Sequence, residues 1–388
     1  MTDRPQYWYP TAFDTWGESE RVALRRVVDS GQYTMGREVA ALEEEFAELY
    51  YRRHCVAVNS GSSANLVAVA ALVLSGRVAR GTHAVVPALA WPTTYAPLVQ
   101  YDLQLHLADC DDSWCASPSR SLRPLPATTG LVVSVPVLGC AAHAQAWCAR
   151  ARELSVPVIE DCCESVWAAD NAGNIVGRRG DLSTFSFYYS HHISAIEGGA
   201  ILTDDPELAR LCRVLRNHGW TRGVDVPKTF GDEYRFEHMG YNVRPVEMHA
   251  AVARVQIDPS RVLGGRSWRL RNHDYFAGRA PPGIRVRDTG YMGRGNPFAI
   301  AFEVNSSATR ARLAAELRAA GIDCRPAVGG SLGRQPYGAP WRGQPTPRAD
   351  EVHDCGMMLG CAPFDIHDKI DRALVVIERV TAPGPVCA

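Results

Sequence analysis

Two adjacent histidines, His191 and His192, stand in "TFSFYYSHHISAIEGGA" (residues 184–200), between two segments of β character. An imidazole takes up and gives back a proton near neutral pH, with an unperturbed pKa of ~6.5. An exposed turn holds histidines for no chemical reason, so their surroundings must decide. Three other short stretches carry chemistry. "NSGSSAN" (59–65) runs small residues into a helix, where unpaired N–H groups and the helix dipole favour a phosphate; a plain N-cap with a glycine turn uses the same residues. "VPVIED" ends in Asp161, a carboxylate that is costly to bury unless paired. A protonated pyridine nitrogen would pair it, and Glu164, three residues on, could reach the same ring; an Asp that caps the next segment is the equal alternative. "ALAWPTTY" presents Trp91 either as core filler or as a stacking surface for a flat heteroaromatic ring.

The elements that must position these groups alternate. "CVAVN" precedes helical "SANLVAVAALVL", "HAVVP" precedes "TTYAPLVQY", and "LVVSVPV" precedes "AHAQAWCARARELS", which "VPVIED" follows. Uniformly apolar strands in a β-then-α rhythm predict an α/β fold with a mostly parallel sheet flanked by helices. "STFSFYY" and "GGAILT" read as further strands, and "PELARLCRVLRNHG" as a helix with Pro206 in its first turn. The pattern changes near residue 258. We therefore expect a large α/β domain with N-terminal helices over 1–258 and a smaller C-terminal α+β domain over 259–388. The Gly/Pro-rich stretch 328–348 reads as a surface loop, a candidate cover for a site. In such sheets ligands bind beyond the carboxyl ends of the strands, which is where Gly61, Ser62, Trp91, Asp161, Glu164, Ser186 and His191 fall. Together they describe a pocket for a planar pyridine carrying a phosphate: pyridoxal 5′-phosphate (PLP) or its amine form, pyridoxamine 5′-phosphate (PMP).

Bulk properties exclude other classes. With 388 residues, 46% hydrophobic content and a formal net charge of −1, nothing points to nucleic acid or an acidic membrane. No apolar run approaches the ~20 residues needed to span a bilayer. The beginning "MTDRPQYWYP" lacks the marks of an export signal. The twelve cysteines form no CxxC pair, so zinc spacing is absent and a reduced, cytoplasmic protein is expected. Of 41 basic residues only Lys228 and Lys369 are lysines, so any chemistry that needs a reactive amine has two candidates. Neither falls at a predicted strand end near Asp161.

The stretches "QYTMGREVAALEEEFA", "NSGSSAN", "VIEDCCES", "FSFYYSHHISAIEGGAILTDD", "NHGWTR", "GYNVRPVEM" and "GIDCRP" resemble the DegT/DnrJ/EryC1/StrS family, the sugar aminotransferase and dehydratase branch of the fold-type I PLP enzymes. In its aminotransferases the residue six before the Glu of "EGG" is the lysine that binds the cofactor. Here that position is His191. The likeness is greatest to the histidine-bearing subset that removes the C3 oxygen of GDP-4-keto-6-deoxymannose.

The resemblance implies that Gly61, Ser62 and Ser186 hold the phosphate, Trp91 stacks on the ring, Asp161 pairs with its nitrogen and Glu164 lies beside it. It implies that Asn242 of "GYN" reaches a neighbouring subunit's phosphate, hence a homodimer with shared sites. His218, Arg222 and Arg244 become candidates near the sugar. His191 would act as acid and base in dehydrating a nucleotide-linked 4-keto-6-deoxysugar to a 3-deoxy-4-keto sugar and ammonia, with the cofactor noncovalently bound and re-aminated by L-glutamate. A related dehydratase type uses an iron–sulfur centre and a reductase partner. That centre needs clustered thiolates, and Cys212 is the only cysteine between His191 and residue 323, so neither metal nor reductase is expected. A nucleotide-sugar 4-aminotransferase, the same dehydration on an antibiotic-pathway sugar, and a noncatalytic cofactor-binding protein remain the alternatives.

Overall fold

The computed structural model describes residues 7–121, 123–224, 229–287 and 294–382. The large sheet is built from β1 (His54–Val58), β2 (His83–Pro87), β3 (Gln104–Ala108), β4 (Thr129–Ser134), β5 (Val158–Asp161), β6 (Leu182–Ser186) and β7 (Gly199–Thr203). Around it lie α1 (Glu18–Ser30), α2 (Arg37–Leu49), α3 (Gly61–Leu74), α4 (Pro92–Gln100), α5 (Ala144–Leu154), α6 (Pro206–Arg216) and α7 (Glu247–Gln256). The strand order is β1-β7-β6-β5-β4-β2-β3. All pairs are parallel except those of β7, which runs antiparallel to both β1 and β6. The periodicity alone does not disclose this reversal. The turn that carries the two histidines returns the chain directly beside β6, as antiparallel neighbours can.

The consequence for function is geometric. Strands β1 to β6 all point their carboxyl ends to one edge of the sheet. Strand interiors are buried on both faces, which explains the apolar runs. Helix α3, apolar nearly all round, is buried with them.

Helix α8 (Pro259–Ala277) leads to a second unit: β8 (Ile284–Val286), β9 (Ala299–Val304), α9 (Ser307–Ala319), β10 (Cys324–Pro326), α10 (Pro347–Cys355), β11 (Gly356–Gly360) and α11 (His367–Thr381). Its sheet, ordered β10-β11-β9-β8, is antiparallel throughout. Phe276, Ile300, Phe302 and Ile377 form its core, and so does Tyr9 from the other end of the chain. Tyr9 donates its hydroxyl proton to the Gly360 carbonyl at 2.8 Å and bridges to Ile322. Tyr9, well ahead of α1, therefore belongs to the packing of the second unit, while Trp16 donates to the Ser194 carbonyl in the large one.

The two units are pinned at the strand ends. Glu303 of β9 accepts hydrogen bonds from Trp114 Nε1 and Arg348 Nη1, both at 2.8 Å. The backbone of Asn296 and Phe298 bonds to Gly139 and Leu138 in the loop after β4. Part of the Gly/Pro-rich stretch lies along the β2–α4 connection, where Leu332 N–H donates to the Ala88 carbonyl at 2.8 Å. It thus flanks the exit that carries Trp91. Among the described residues no helix is long and apolar enough to cross a membrane.

Candidate active site

Asp161 is the last residue of β5 and is almost fully buried. Its Oδ2 accepts two hydrogen bonds, from Asn65 Nδ2 at 2.8 Å and from Thr94 Oγ1 at 2.7 Å. Thr184 of β6 in turn donates to Asn65 Oδ1 at 2.6 Å, which fixes the amide's orientation. Three elements of the sheet edge thus hold one carboxylate. Oδ1 receives a long 3.3 Å contact from Cys163 N–H, which leaves lone-pair capacity for a further donor.

Beside it lies a cradle at the start of α3. Ser60 caps the helix by accepting from Ser63 N–H, while the first-turn N–H groups have no intrahelical acceptor. A Cβ on Gly61 would lie 2.6 Å from Ser186 Cβ and 2.7 Å from Cys163 Sγ, so only glycine fits. Ser62 Oγ shares a hydrogen bond of 2.8 Å with Thr93 Oγ1. Trp91, N-cap of α4, is 56% exposed; it is a free surface and not core filler.

The opening residues complete the edge. His191 Nδ1 lies 2.8 Å from the Cys163 carbonyl. A carbonyl only accepts, so Nδ1 carries the proton and Nε2 carries the lone pair. The ring is packed edge-on against Phe298 at 5.0 Å and Tyr188 at 5.8 Å. Burial lowers its pKa to about 4, with Arg269 adding to the fall against the Cys163 bond and the Asp161 charge. His191 is therefore a neutral base at pH 7. His192 is turned away: Nε2 donates to the Asn296 carbonyl at 2.9 Å, and burial lowers its pKa well below the usual value.

Glu164 Oε2 accepts from Leu138 N–H at 3.0 Å. Burial raises its pKa to about 7, opposed by that hydrogen bond and by Arg287, and aided by Asp161. The structure thus brings together Gly61, Asp161, Glu164, Ser186 and His191, all around Cys163.

Asn242, His218 and Arg244 form a second group. His218 Nε2 lies 2.5 Å from Arg244 Nη1, which also donates to Asn217 Oδ1 at 2.8 Å, and Asn217 bridges to Asn242. This group borders the cradle, because Asn59 N–H donates to the Val243 carbonyl at 3.1 Å. Asn242 and His218 are exposed. Arg222 lies apart, its guanidinium 5.1 Å above the Trp220 ring. Lys369, on α11, lies 5.3 Å over the Trp8 ring. Lys228 falls outside the described residues. Among the described residues no group of three His, Cys, Asp or Glu side chains could hold a metal ion.

Sequence reasoning missed the supports. Asn65 and Thr94 lie within the stretches it singled out, and a polar side chain on the buried face of a helix near its N-terminus was the available signal. Leu138 and Phe298 gave none, because they act through backbone and ring.

A family model described as the DegT/DnrJ/EryC1/StrS aminotransferase family matches residues 14–374. A GDP-4-keto-6-deoxy-D-mannose 3-dehydratase of Yersinia pseudotuberculosis is 32% identical over 390 residues, covering 96% of this chain and 98% of the relative. The E. coli GDP-4-keto-6-deoxy-D-mannose-3-dehydratase structure with bound hydrated PLP superposes with a TM-score of 0.88 at 30% identity, covering 96% of this chain and all of the other. A GDP-4-keto-6-deoxymannose-3-dehydratase structure with a trapped PLP-glutamate geminal diamine gives 0.87 at 30% identity, covering 95% and 100%.

Proposed function

We infer that this chain, which belongs to the DegT/DnrJ/EryC1/StrS aminotransferase family, is a PLP/PMP-dependent C3 dehydratase of a nucleotide-linked 4-keto-6-deoxysugar. The products are a 3-deoxy-4-keto sugar and ammonia, and L-glutamate is the amino donor. The observation that carries this reading is His191. It stands on the Asp161 edge of the sheet with Nε2 free as a base, while Lys369 is occupied against Trp8 on α11.

The residues fit the cofactor. Gly61, with the first-turn N–H groups of α3 and the hydroxyls of Ser62 and Ser186, would hold the phosphate. Asp161, with Oδ1 open, would hold the pyridine nitrogen in its protonated form, and Trp91 would cover a ring face. Bound there, PMP supplies the amine that engages the C4 ketone and the ring that accepts electrons. Every other duty falls to the protein. Asn65 and Thr94 hold the Asp161 carboxylate in position. His191 Nε2 would move a proton beside the ring and, with no lysine at the Asp161 edge among the described residues, the cofactor would be noncovalently bound. Cys212, the one cysteine between His191 and Cys324, is buried in α6, which favours a route without an iron–sulfur centre or reductase.

We further propose a homodimer in which Asn242 completes the neighbouring subunit's phosphate site, and in which His218, Arg244 and Arg222 meet the sugar nucleotide. The exposed Phe230, Met239 and Tyr234 beside that segment support a surface covered by a second copy. The free thiols of the eleven described cysteines suit a reducing cytoplasm.

The test is incubation of the protein, PLP and L-glutamate with GDP-, CDP- and dTDP-linked 4-keto-6-deoxysugars, read by mass and by ammonia release. Loss of the C3 oxygen with ammonia supports the reading. A stable amino sugar in its place converts the assignment to a 4-aminotransferase.

A further inference from the structure

His191 has a neighbour of its own type, and the two rings are bonded differently. Both imidazoles belong to the turn between β6 and β7, and each donates to a main-chain carbonyl. His191 gives its Nδ1 proton to Cys163 at 2.8 Å, and His192 gives its Nε2 proton to Asn296 at 2.9 Å. A carbonyl only accepts, so the neighbouring rings are held in opposite tautomers. His191 keeps its lone pair on Nε2, whereas His192 keeps one on Nδ1. That second lone pair is buried and meets no donor among the described residues. A buried acceptor left unpaired costs stability, so packing alone would favour an apolar ring at position 192. Something other than packing has to explain the imidazole.

The carbonyl that His192 reaches is a fixed point. Asn296 is 2% exposed. Its N–H donates to the Gly139 carbonyl at 2.9 Å, and its Nδ2 donates to the Val166 carbonyl at 2.7 Å. A Cβ on Gly139 would come within 1.7 Å of the Asn296 oxygen, so the two main chains touch there. Two residues on, Phe298 donates its N–H to the Leu138 carbonyl at 3.2 Å. Its ring packs edge-on against both imidazoles, 5.0 Å from His191 and 5.6 Å from His192. Residues 296–298 are therefore tied to the loop after β4 on one side and to the histidine turn on the other. The turn is closed at its base by main-chain bonds from Ala195 to Phe187 and from Tyr189 to Ile196, and Trp16 Nε1 holds it at Ser194. Nearer its tip, the side chains of the two histidines reach out to Cys163 and Asn296.

We propose that His192 is a positioning residue for the proton transfer, clamping the turn to Asn296 so that the neighbouring imidazole keeps its place against Cys163 and Phe298. That role rests on the dehydratase reading, in which His191 moves the proton. One hydrogen bond to Cys163 fixes a point on the His191 ring and leaves a swing about it. The His192–Asn296 bond, with the Phe298 ring set by the same segment, supplies the missing constraint. A displacement of about 1 Å at a reacting group can cost on the order of 10²-fold in rate. The clamp should therefore be felt in the chemical step and not in substrate binding.

The experiment uses two variants. His192→Phe keeps a ring against Phe298 but has no N–H, and His192→Gln has an amide N–H that can reach the same carbonyl. In steady-state dehydration with PLP and L-glutamate, His192→Phe should lower kcat about 10- to 10²-fold with the KM for the sugar nucleotide within about twofold. His192→Gln should recover to within about threefold of wild type. The thermal midpoint of His192→Phe should move little, because the unpaired Nδ1 disappears together with the lost bond. An unchanged kcat, a loss that appears in KM instead, or a His192→Gln as slow as His192→Phe overturns the role. A midpoint that falls in step with kcat makes His192 a structural residue only, and overturns it too.

A second readout needs no turnover. In a His191→Lys background, the rate at which PLP forms a borohydride-reducible adduct reports where residue 191 stands. Adding His192→Phe should slow that rate about tenfold or more, and adding His192→Gln should not. Equal rates with and without the N–H overturn the clamp, and no adduct in His191→Lys itself removes residue 191 from the cofactor and the clamp with it. If wild type removes the C3 oxygen of no sugar, the dehydratase reading falls while the adduct rates still decide the clamp. If dehydration proceeds and His192→Phe matches wild type, only the role of His192 falls.

Discussion

The strand-end group and the segment around residues 217–244 differ in how they are held. Asp161 is fixed by Asn65 and Thr94 from two helices, with Thr184 behind them, and is almost fully buried. His218, Arg244 and Asn242 hold mainly to each other and to Asn217, on a surface with Phe230 88% and Met239 97% exposed. In the first region the donors to Asp161 Oδ2 are placed by the fold itself, which avoids reorganisation during reaction. On the proposed reading, the second region offers groups that a second copy and the sugar nucleotide would complete. One region is finished by folding, and the other would be finished by what it binds.

The sharpest way to break this contrast is His191→Asn. It should abolish deoxygenation by about 10³-fold or more while PLP still binds, because the imidazole is asked for proton transfer and not for affinity. Dehydration rates and cofactor titration check it. Introducing His191→Lys should instead create a borohydride-reducible adduct with PLP. A lysine that stays free would place residue 191 away from the cofactor and remove the contrast altogether.

A smaller effect probes the supports. Thr94→Val deletes one of two donors to Asp161 Oδ2 and should weaken PLP binding about tenfold, since one hydrogen bond to a charged group contributes roughly 1.5–3 kcal/mol, part of which water recovers. Equilibrium dialysis measures it. An unchanged affinity would mean that Asn65 alone orients the carboxylate.

How much was legible follows the same division. Asp161, Glu164, Ser186 and Gly61 could be placed because an apolar run must end somewhere, and the polar residue at its end has an address in a parallel sheet. His191 was legible as an imidazole in the turn after β6 but not in its tautomer, which depends on a backbone carbonyl 28 residues away in sequence. The reversal of β7 was hidden because a strand buried on both faces has the same pattern in either direction. The contributions of Leu138, Asn296 and Phe298 were illegible because they come from main chain and an aromatic edge. Tyr9 was assigned by position to the large unit, yet it packs with Phe302 and Ile377, because contact and not chain order decides which core a residue joins.

The exposed region can be tested by complementation. Asn242→Ala should raise the PLP dissociation constant about tenfold by losing one phosphate contact. If that contact crosses a dimer, mixing it with His191→Asn makes hybrids in which one site carries both intact residues. At limiting PLP roughly a quarter of all sites should then be whole. No recovery would put Asn242 in its own subunit's site and make the second region self-sufficient.

The smallest effect concerns stability against pH, where Glu164 and His191 should act with opposite sign. His191 has its folded pKa lowered to about 4. Between that value and the unfolded ~6.5 the unfolded chain binds the extra proton, so stability is lost as pH falls through this window. Glu164 is raised to about 7. Between its unfolded ~4.3 and that value the folded chain binds the extra proton, so its contribution is present at low pH and lost as pH rises. Denaturant midpoints should therefore rise more steeply between pH 4 and 6.5 in Glu164→Gln than in wild type, and less steeply in His191→Asn. Both slopes come from groups beside Cys163, and neither should move when Arg244 is replaced by alanine. An Arg244→Ala profile that shifted like either of them would mean that the exposed segment is coupled to Glu164 and His191, and the two regions could no longer be treated as separately finished.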